Sequence, residues 1–323
     1  MSRILRAFDA VASRIAGASL PAATSRDPFA GMLPWELTSR KSLTVPRRDS
    51  VEIDTAYAAA LLDFAGVCTW RESVDRSLVS RCRSVAHSLA ADVRASAWGK
   101  HGNPDAFHDG FELDECAYQR SPGRVDLRNH KAMYEPPFSD DALCSDAPWM
   151  PLVRHVLGDE AHLLWKGLVV AEPGTPEQSF HADGPIVNRE VWASREAAAV
   201  AGSVRASLPA HSLTLHVPLV DYGPNGVGST SFLPGSHQQL MASALQAEAS
   251  EAGCSAGAGM PAALDAGAGD AIVFDLRTHH AGGANASSDR RSVLYLVYAR
   301  PWYDGDLHRQ LVEEGPLEGV MRR

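Results

Sequence analysis

One stretch near the middle of the chain carries the residue types of a metal site. His181 and Asp183 stand two positions apart within the sequence SFHADGP. Because side chains alternate between the two faces of an extended strand, this imidazole and this carboxylate point the same way. One further histidine would complete the two-histidine, one-carboxylate set that binds Fe(II) and leaves positions open for chemistry. The stretch therefore predicts two of the three ligands of such a site.

Two candidates for the second histidine lie in the C-terminal third. His279 and His280 are adjacent, and each is followed eleven residues later by an arginine, Arg290 or Arg291. An inward-pointing arginine on the next strand suits a dicarboxylate co-substrate, because a guanidinium pairs with a carboxylate through two parallel hydrogen bonds. From the residue types and spacing alone, either histidine completes the site.

The elements that must position these residues change character along the chain. Apolar residues recur at helical spacing over residues 51–96, and residues 149–157 predict a short helix closed by Gly158. Strands are predicted at 163–170, 178–183, 213–220, 229–233, 271–274 and 292–298. A helical first half followed by many short strands predicts a mainly β fold with flanking helices. Its core is expected to be a double-stranded β-helix, that is, a jelly-roll, cupin-like barrel, which can bring the first and last strands to one end.

Three segments interrupt this pattern. Residues 99–137 are rich in Gly, Pro and charge, and we expect either a surface loop or a polar flap at the mouth of a pocket. Residues 186–211 directly follow the His-x-Asp stretch, where a mobile lid would sit. Residues 238–268 are rich in Ala and Gly, which predicts a helix followed by a flexible connector.

Composition excludes several classes of partner. The 323 residues are 45% hydrophobic and 21% charged, with a net charge of -9, so neither nucleic acid nor an anionic membrane is expected to bind. No apolar run approaches the roughly 18 residues of a membrane-spanning helix. Five scattered cysteines without a Cys-x-x-Cys pair argue against a disulfide framework or a thiolate zinc site. We expect a small-molecule substrate and a cytoplasmic protein.

Residues 1–25 leave a second location open. They contain several arginines, a single acid (Asp9) and apolar residues at helical spacing. This composition is typical of a mitochondrial transit peptide, although a short helix docked on the domain would look the same. Mitochondrial targeting is therefore the alternative to the cytoplasm.

The sequence resembles the phytanoyl-CoA dioxygenase-like family of Fe(II)/2-oxoglutarate-dependent oxygenases. The matching motifs are PEQSFHADG at 176–184, FLPGSH at 232–237 after Asn225-Gly226, and the block at 269–302 that contains GDAIVFDLRTHHAGGANAS. The resemblance covers roughly residues 50–303. It implies a single oxygenase domain over 51–310, with helical support at 51–160 and the jelly-roll core at 161–303. An N-terminal arm (1–50) and a C-terminal tail (304–323) would flank this domain.

The family resemblance also assigns roles at the site. It implies that His181, Asp183 and His280 hold Fe(II), and that Arg291 grips the far carboxylate of the co-substrate 2-oxoglutarate. His280 is chosen over His279 because the family's His-x-Gly-Gly-x-Asn pattern fits residues 280–285. O2 is the other reactant, and ascorbate is expected to support activity. Since Asp183 is present, hydroxylation is favoured over halogenation, for which relatives replace the carboxylate with a small residue.

Three further residues are candidates for contacts with the co-substrate. Lys166 lies on a predicted strand, Thr230 precedes the PGSH turn, and Gln178 stands three residues before His181. Each is equally compatible with an ordinary structural position.

The leading hypothesis is an Fe(II)- and 2-oxoglutarate-dependent dioxygenase that hydroxylates a small organic metabolite with release of succinate and CO2. The alternatives are a catalytically inactive jelly-roll binding module and a cupin-like metal-dependent isomerase or hydrolase. Arg291 favours the oxygenase, because an isomerase or hydrolase has no evident need for a buried cation at that spacing. Arg120, Arg124 and Arg128 either meet an anionic substrate or belong to a solvated loop.

Overall fold

The structure is a computed structural model, and it describes residues 43–45, 54–185, 187, 208–223, 227–238 and 261–313. The helices described are α1 (Thr55–Ala65), α2 (Arg76–His101), α3 (Met150–Leu157) and α4 (Gly305–Glu313). The strands described are β1 (Val67–Trp70), β2 (Glu112–Asp114), β3 (Ala117–Ser121), β4 (Arg124–Arg128), β5 (His162–Ala171), β6 (Ser212–Pro218), β7 (Thr230–Phe232), β8 (Ala262–Leu264), β9 (Ala271–Asp275), β10 (His280–Gly282) and β11 (Arg291–Ala299). Short 3-10 turns lie at Pro104–Ala106, Lys131–Tyr134 and Asp141–Leu143.

The strands form two antiparallel sheets. The large sheet has eight strands in the order β1-β9-β6-β11-β5-β4-β3-β2, and the small sheet has three in the order β10-β7-β8. Residues of both sheets line one cavity. The prediction of a mainly β, jelly-roll fold with flanking helices is confirmed.

Helices α1 and α2 cover the outer face of the large sheet, whereas α4 lies on the cavity side, where its His308 and Leu311 line the cavity. Asp54 caps the start of α1, with its side chain accepting a hydrogen bond from the backbone N–H of Tyr57, and Gly66 caps its end in the left-handed conformation (φ 78°). Asp75 caps the start of α2, accepting hydrogen bonds from the backbone N–H groups of Ser77 and Leu78. α1 contacts β1 and β9, while α2 contacts β5 and β11. Helix capping thus fixes where the apolar helix faces meet the sheet.

Alternation along β5 and β11 separates the two faces of the large sheet. Leu168 and Leu294 are fully buried in the core beneath the helices. Val169 and Tyr295, one position further along, face the cavity instead. The helix side is thus a packed apolar core, and the inner side carries the residues of the candidate site.

Several sequence predictions need correction. β1 lies in a region predicted to be helical, and β2, β3 and β4 lie in the segment 99–137 that was expected to be a loop or flap. β8 falls in the expected connector. The predicted strand at 178–183 is not a continuous strand. It pairs with β10 through an isolated bridge between His181 and His280 and a backbone hydrogen bond from Gln178 to Gly282. The helix predicted at 149–157 is confirmed as α3.

Other predictions lie outside the described residues. They concern the N-terminal arm, apart from residues 43–45, the lid within 188–207 and the helix expected within 239–260. Over the part of the chain that is described, no helix combines the length and apolarity needed to cross a membrane.

Candidate metal centre and its cavity

The structure brings His181, Asp183 and His280 together. One ligand atom from each lies within 4.8 Å of the other two. His181 Nε2 is 3.9 Å from Asp183 Oδ1, and His280 Nε2 is 3.7 Å from Asp183 Oδ2. The backbones of the two histidines exchange hydrogen bonds of 3.0 and 2.8 Å, so the stretch around His181 lies beside β10. This pairing places side chains that are about a hundred positions apart in one cluster.

Backbone carbonyls fix the orientation and the tautomer of both imidazoles. His181 Nδ1 lies 2.9 Å from the carbonyl oxygen of Ser179, and His280 Nδ1 lies 3.1 Å from that of Thr278. Because a carbonyl oxygen only accepts, each Nδ1 carries the proton and donates it. Each Nε2 is then the lone-pair nitrogen that faces the carboxylate. This is the tautomer needed for a metal ligand.

The charges of the cluster also suit a cation. Burial alone would raise the pKa of Asp183, but the imidazoles of His280, His181 and His216, together with Arg128, hold that pKa below its ordinary value. Burial lowers the pKa of His280, although Asp183 opposes the shift. At neutral pH the Asp183 carboxylate is therefore ionised beside the neutral imidazole of His280, and carboxylate and imidazole are ligand types that Fe(II) accepts.

The structure separates the two candidate His/Arg pairs. His279 lies outside the cluster, and its backbone N–H donates to Ser236 Oγ. Arg290 Nε donates to Glu172 Oε2 at 2.9 Å, and its Nη1 donates to a carbonyl oxygen of α2. Arg291 is instead buried and lines the cavity together with His280. Of the two pairs, His280 and Arg291 line the cavity, whereas His279 and Arg290 do not.

Arg291 stands in a polar recess of the cavity. Its Nη2 donates to Thr230 Oγ1 at 2.7 Å, its guanidinium lies 4.5 Å from the ring centre of Tyr222, and its Nε has no hydrogen-bond partner among the described residues. Gln178 Oε1 accepts from the backbone N–H of Gly282 at 3.1 Å. A side chain at Gly282 would crowd both Gln178 and Arg291. Such a recess, with a buried cation that keeps an unused donor, fits one carboxylate of a dicarboxylic acid.

The expectation for Lys166 is corrected by the structure. On β5 the inward positions are Trp165 and Val169, so Lys166 points to the opposite face of the sheet. Its amino group donates to the carbonyl oxygen of Phe138 and lies 3.2 Å from Cys144 Sγ. Lys166 is thus buried beneath the outer layer and does not reach the cavity.

The cavity extends well beyond the metal cluster, with a volume of about 820 Å³. Most of its wall was not predicted from the sequence. The cavity-lining residues not predicted include Asp126, Trp165, Val169, Val293, Tyr295, Val297, His308 and Leu311. A period of two along β4, β5 and β11 is the signal that could have found the strand residues, once one inward position of each strand is known. His216 also lies in the wall, with its ring centre 6.1 Å from that of His280.

Comparisons with known proteins agree with this geometry. The phytanoyl-CoA dioxygenase (PhyH) family matches residues 100–293. The crystal structure of AviO1 from Streptomyces viridochromogenes Tue57 is similar with a TM-score of 0.51 and 18% identity, over 77% of this chain and 96% of that one. The crystal structure of EctD from S. alaskensis, with 2-oxoglutarate and 5-hydroxyectoine, has a TM-score of 0.50 and 19% identity, over 79% of this chain and 82% of that one. At these identities the two structures show a common fold.

The comparison with curated proteins found no match. The family match spans more than half of the chain and contains all three residues of the metal cluster as well as Arg291. This chain therefore belongs to the phytanoyl-CoA dioxygenase family, whose members are iron- and 2-oxoglutarate-dependent oxygenases.

Proposed function

We propose that this protein hydroxylates a small organic metabolite, using Fe(II), 2-oxoglutarate and O2 and releasing succinate and CO2. His181, Asp183 and His280 hold the iron, and Arg291 with Thr230 and Gln178 holds the far carboxylate of 2-oxoglutarate. The observation that carries this proposal is one cavity lined by both the His-Asp-His cluster and a buried arginine.

The residues of the site have separate roles in binding the iron and the co-substrate. Bound iron supplies the activation of O2 that no side chain can provide. The carbonyls of Ser179 and Thr278 keep the Nδ1 protons of both histidines in place, so the Nε2 lone pairs stay aimed at the cation. The hydrogen bond from Arg291 to Thr230 fixes the guanidinium before the co-substrate arrives.

The apolar inner faces of β5 and β11 keep the cavity walls dry. Val169, Val293 and Val297 line the same cavity as the metal cluster and Arg291. A water-poor cavity protects reactive intermediates and strengthens the electrostatic contacts within it. The substrate is expected to occupy this space, beside the metal cluster.

Production of succinate tests the proposal. Purified protein is incubated in air with Fe(II), 2-oxoglutarate and ascorbate, which we expect to support turnover, and succinate is measured without added substrate. We expect succinate from the wild type and from Lys166→Met, whose side chain faces away from the cavity. His181→Ala and Arg291→Gln should form none. A wild type that forms no succinate, or a His181→Ala variant as active as the wild type, would contradict the proposal.

We place this activity in the cytoplasm, with a mitochondrial location through residues 1–25 as the alternative. The four described cysteines are free thiols, which suits a reducing compartment. Fractionation of cells that express the full chain, beside a chain lacking residues 1–25, separates the two locations. Organellar enrichment that depends on those residues would contradict a cytoplasmic protein.

A further inference from the structure

The cavity contains a second cationic region, built on β3 and β4. Arg120 donates from Nε and Nη2 to Asp126 Oδ2 at 3.1 and 2.7 Å. Tyr295 donates its hydroxyl to Asp126 Oδ1 at 2.7 Å. These two partners thus occupy both carboxylate oxygens of Asp126, whose side chain is only 3% exposed. Arg120 and Asp126 form a satisfied pair.

Arg128, on the same strand as Asp126, is held less tightly than Arg120. Its Nη2 lies 3.5 Å from Asp126 Oδ2, an ion-pair distance, its guanidinium also interacts with the Tyr295 hydroxyl, and its buried Nε has no hydrogen-bond partner among the described residues. The guanidinium lies over the ring of Trp165, 5.3 Å from its centre. With 38% of the side chain exposed, Arg128 is open to the cavity that it lines. A guanidinium that stacks on an aromatic ring and is partly exposed to a cavity is suited to a planar anion.

This region is separate from the recess around Arg291. Strand pairing puts Arg128 opposite Gly167, which pairs with Tyr295, whereas Arg291 pairs with Ala171. The two arginines therefore sit four residues apart along β5, about 13 Å at roughly 3.3 Å per residue. The metal cluster borders the same cavity on the small sheet. The cavity can thus hold two anions at once, the co-substrate at Arg291 and another molecule at Arg128.

The balance of charge indicates what that second anion is. Arg120 and Arg128 supply two positive charges, and the buried Asp126 offsets one of them. Asp109, 3.4 Å from Arg120, is 71% exposed, so solvent screens its charge. Asp183 also acts on Arg128, but the proposed function assigns that carboxylate to the metal cluster. One positive charge then remains, which matches a carboxylate better than a phosphate, since a phosphate carries about -1.5 to -2 at pH 7.

The walls around this charge are largely apolar. Trp165, Val169, Val297 and Leu311 line the same cavity. His308, which packs edge-on against Trp165 at 4.7 Å, is kept neutral because burial lowers its pKa to about 4. A ligand with one charged end and an apolar body fits such a surface.

We propose that the substrate is a monocarboxylic acid with an apolar body, and that Arg128 binds its carboxylate while the body lies along β5 and β11. This inference rests on the proposed function, because it takes the Arg291 recess as the co-substrate site. Arg128 is then a specificity-determining residue: it selects the acid and sets which carbon faces the metal cluster.

Binding of matched acid and amide probes tests the inference without turnover. The full-length protein is loaded with Ni(II) and 2-oxoglutarate and titrated by calorimetry with hexanoate, octanoate and 4-phenylbutanoate, each beside its primary amide. Losing a charge-assisted hydrogen bond weakens binding by about 10- to 100-fold. At least one acid should therefore bind about tenfold or more tightly than its amide. Arg128→Gln should abolish that preference, and Arg128→Lys should keep part of it.

Controls separate this inference from the function on which it rests. Arg154→Gln, which changes an exposed arginine of α3, should bind every probe like the wild type. Arg128→Gln should still bind 2-oxoglutarate, which shows that its cavity is intact. If the wild type itself fails to bind 2-oxoglutarate, the proposed function is wrong, and the inference that rests on it falls as well.

Three outcomes would overturn the inference while the proposed function stands. No acid of the panel binds better than its amide, the preference for the acid survives in Arg128→Gln, or phenyl phosphate binds more tightly than every acid. If Arg128→Gln does not fold, the wild-type preference and its partial retention in Arg128→Lys decide the matter.

Discussion

At the scale of single residues, the site depends on which atom of each side chain is already engaged. His181 and His280 each use Nδ1 on a backbone carbonyl two residues earlier in the chain, which leaves Nε2 to face Asp183. His279 has the same side chain and adjoins His280, yet it lies outside the cluster. Chemical type alone therefore does not decide which histidine binds metal, and strand parity does.

This difference predicts opposite results for two adjacent alanine variants. His280→Ala should lower the affinity for Fe(II) by more than about tenfold, since even the loss of a group that only orients a ligand costs 10- to 100-fold. His279→Ala should bind Fe(II) like the wild type. The measurement is anaerobic titration calorimetry with Fe(II). A His279→Ala variant that loses the metal while His280→Ala keeps it would reverse the assignment of the two residues.

The sequence could supply the residues of the cluster but not every neighbour. Residue types and spacing pointed to His181 and Asp183 with one of two His/Arg pairs, and the family pattern selected His280 and Arg291. The structure brings these four residues to one cavity. The prediction that Lys166 contacts the co-substrate was wrong because successive side chains of a strand point to opposite faces. An error of one position therefore moves a residue to the other face. Nothing in the sequence alone sets that parity for β5, whose ten residues are mostly apolar.

At the scale of elements, β5 and β11 must approach closely on their inner faces. Gly167 of β5 pairs with Tyr295 of β11, and a Cβ built at Gly167 would overlap the Tyr295 ring. The missing side chain lets the ring lie across β5 and donate its hydroxyl to Asp126 on β4. One glycine thus permits a contact that ties three neighbouring strands together.

Gly167→Ala is therefore expected to destabilise the protein by about 1–3 kcal/mol, the usual cost of overpacking a filled interior. The free energy of unfolding in urea measures this change. Gly99→Ala is the matched control, because Gly99 lies in α2 and a methyl group added there would meet no atom within 4 Å. In a helix, alanine is favoured over glycine by about 1 kcal/mol, so the control should gain stability. Equal effects of the two substitutions would show that the Tyr295 contact does not restrict the strand.

The errors in the predicted elements have two physical causes. β1 is buried along its whole length, so it shows no alternation and cannot be told from a helix by periodicity. β2, β3 and β4 are short and joined by turns at Cys116 and Gly123, both with positive φ, so the turn residues dominated the pattern. The long apolar strands β5 and β11 were predicted to within one residue at each end, because their composition is distinct.

At the scale of the whole molecule, the fold buries ionisable groups that the sequence cannot identify as buried. His211 is fully buried, its ring centre lies 4.3 Å from that of Tyr303, and neither ring nitrogen has a hydrogen-bond partner among the described residues. Burial, with a further contribution from Arg277, lowers the pKa of His211 to about 3. Burial also lowers the pKa of His216 to about 3 and that of His279 to about 4.

Buried neutral histidines make the fold sensitive to mild acid. Above pH 6.5, His211 is neutral in both the folded and the unfolded chain and adds no pH dependence. Between pH 6.5 and about 3, His211 is protonated in the unfolded chain but stays neutral in the folded protein. The free energy of unfolding therefore falls as the pH is lowered. One such group contributes up to about 1.4 kcal/mol per pH unit. Asp275, whose pKa is lowered to about 2, adds to the loss only at lower pH, where unfolded carboxylates begin to protonate.

His211→Phe should therefore flatten the acid limb of the stability curve, because phenylalanine keeps the aromatic contact with Tyr303 and takes up no proton. The free energy of unfolding in urea is measured for metal-free wild type and variant at pH 7.5, 6.0, 5.0 and 4.5. Between pH 6.0 and 4.5 we expect the free energy of unfolding to fall more steeply in the wild type than in the variant. The difference in slope should approach about 1.4 kcal/mol per pH unit, the contribution of one proton. His216 and His279 remain in both proteins, so the variant still declines, only less steeply. Parallel curves would mean that His211 is protonated as readily in the folded protein as in the unfolded chain.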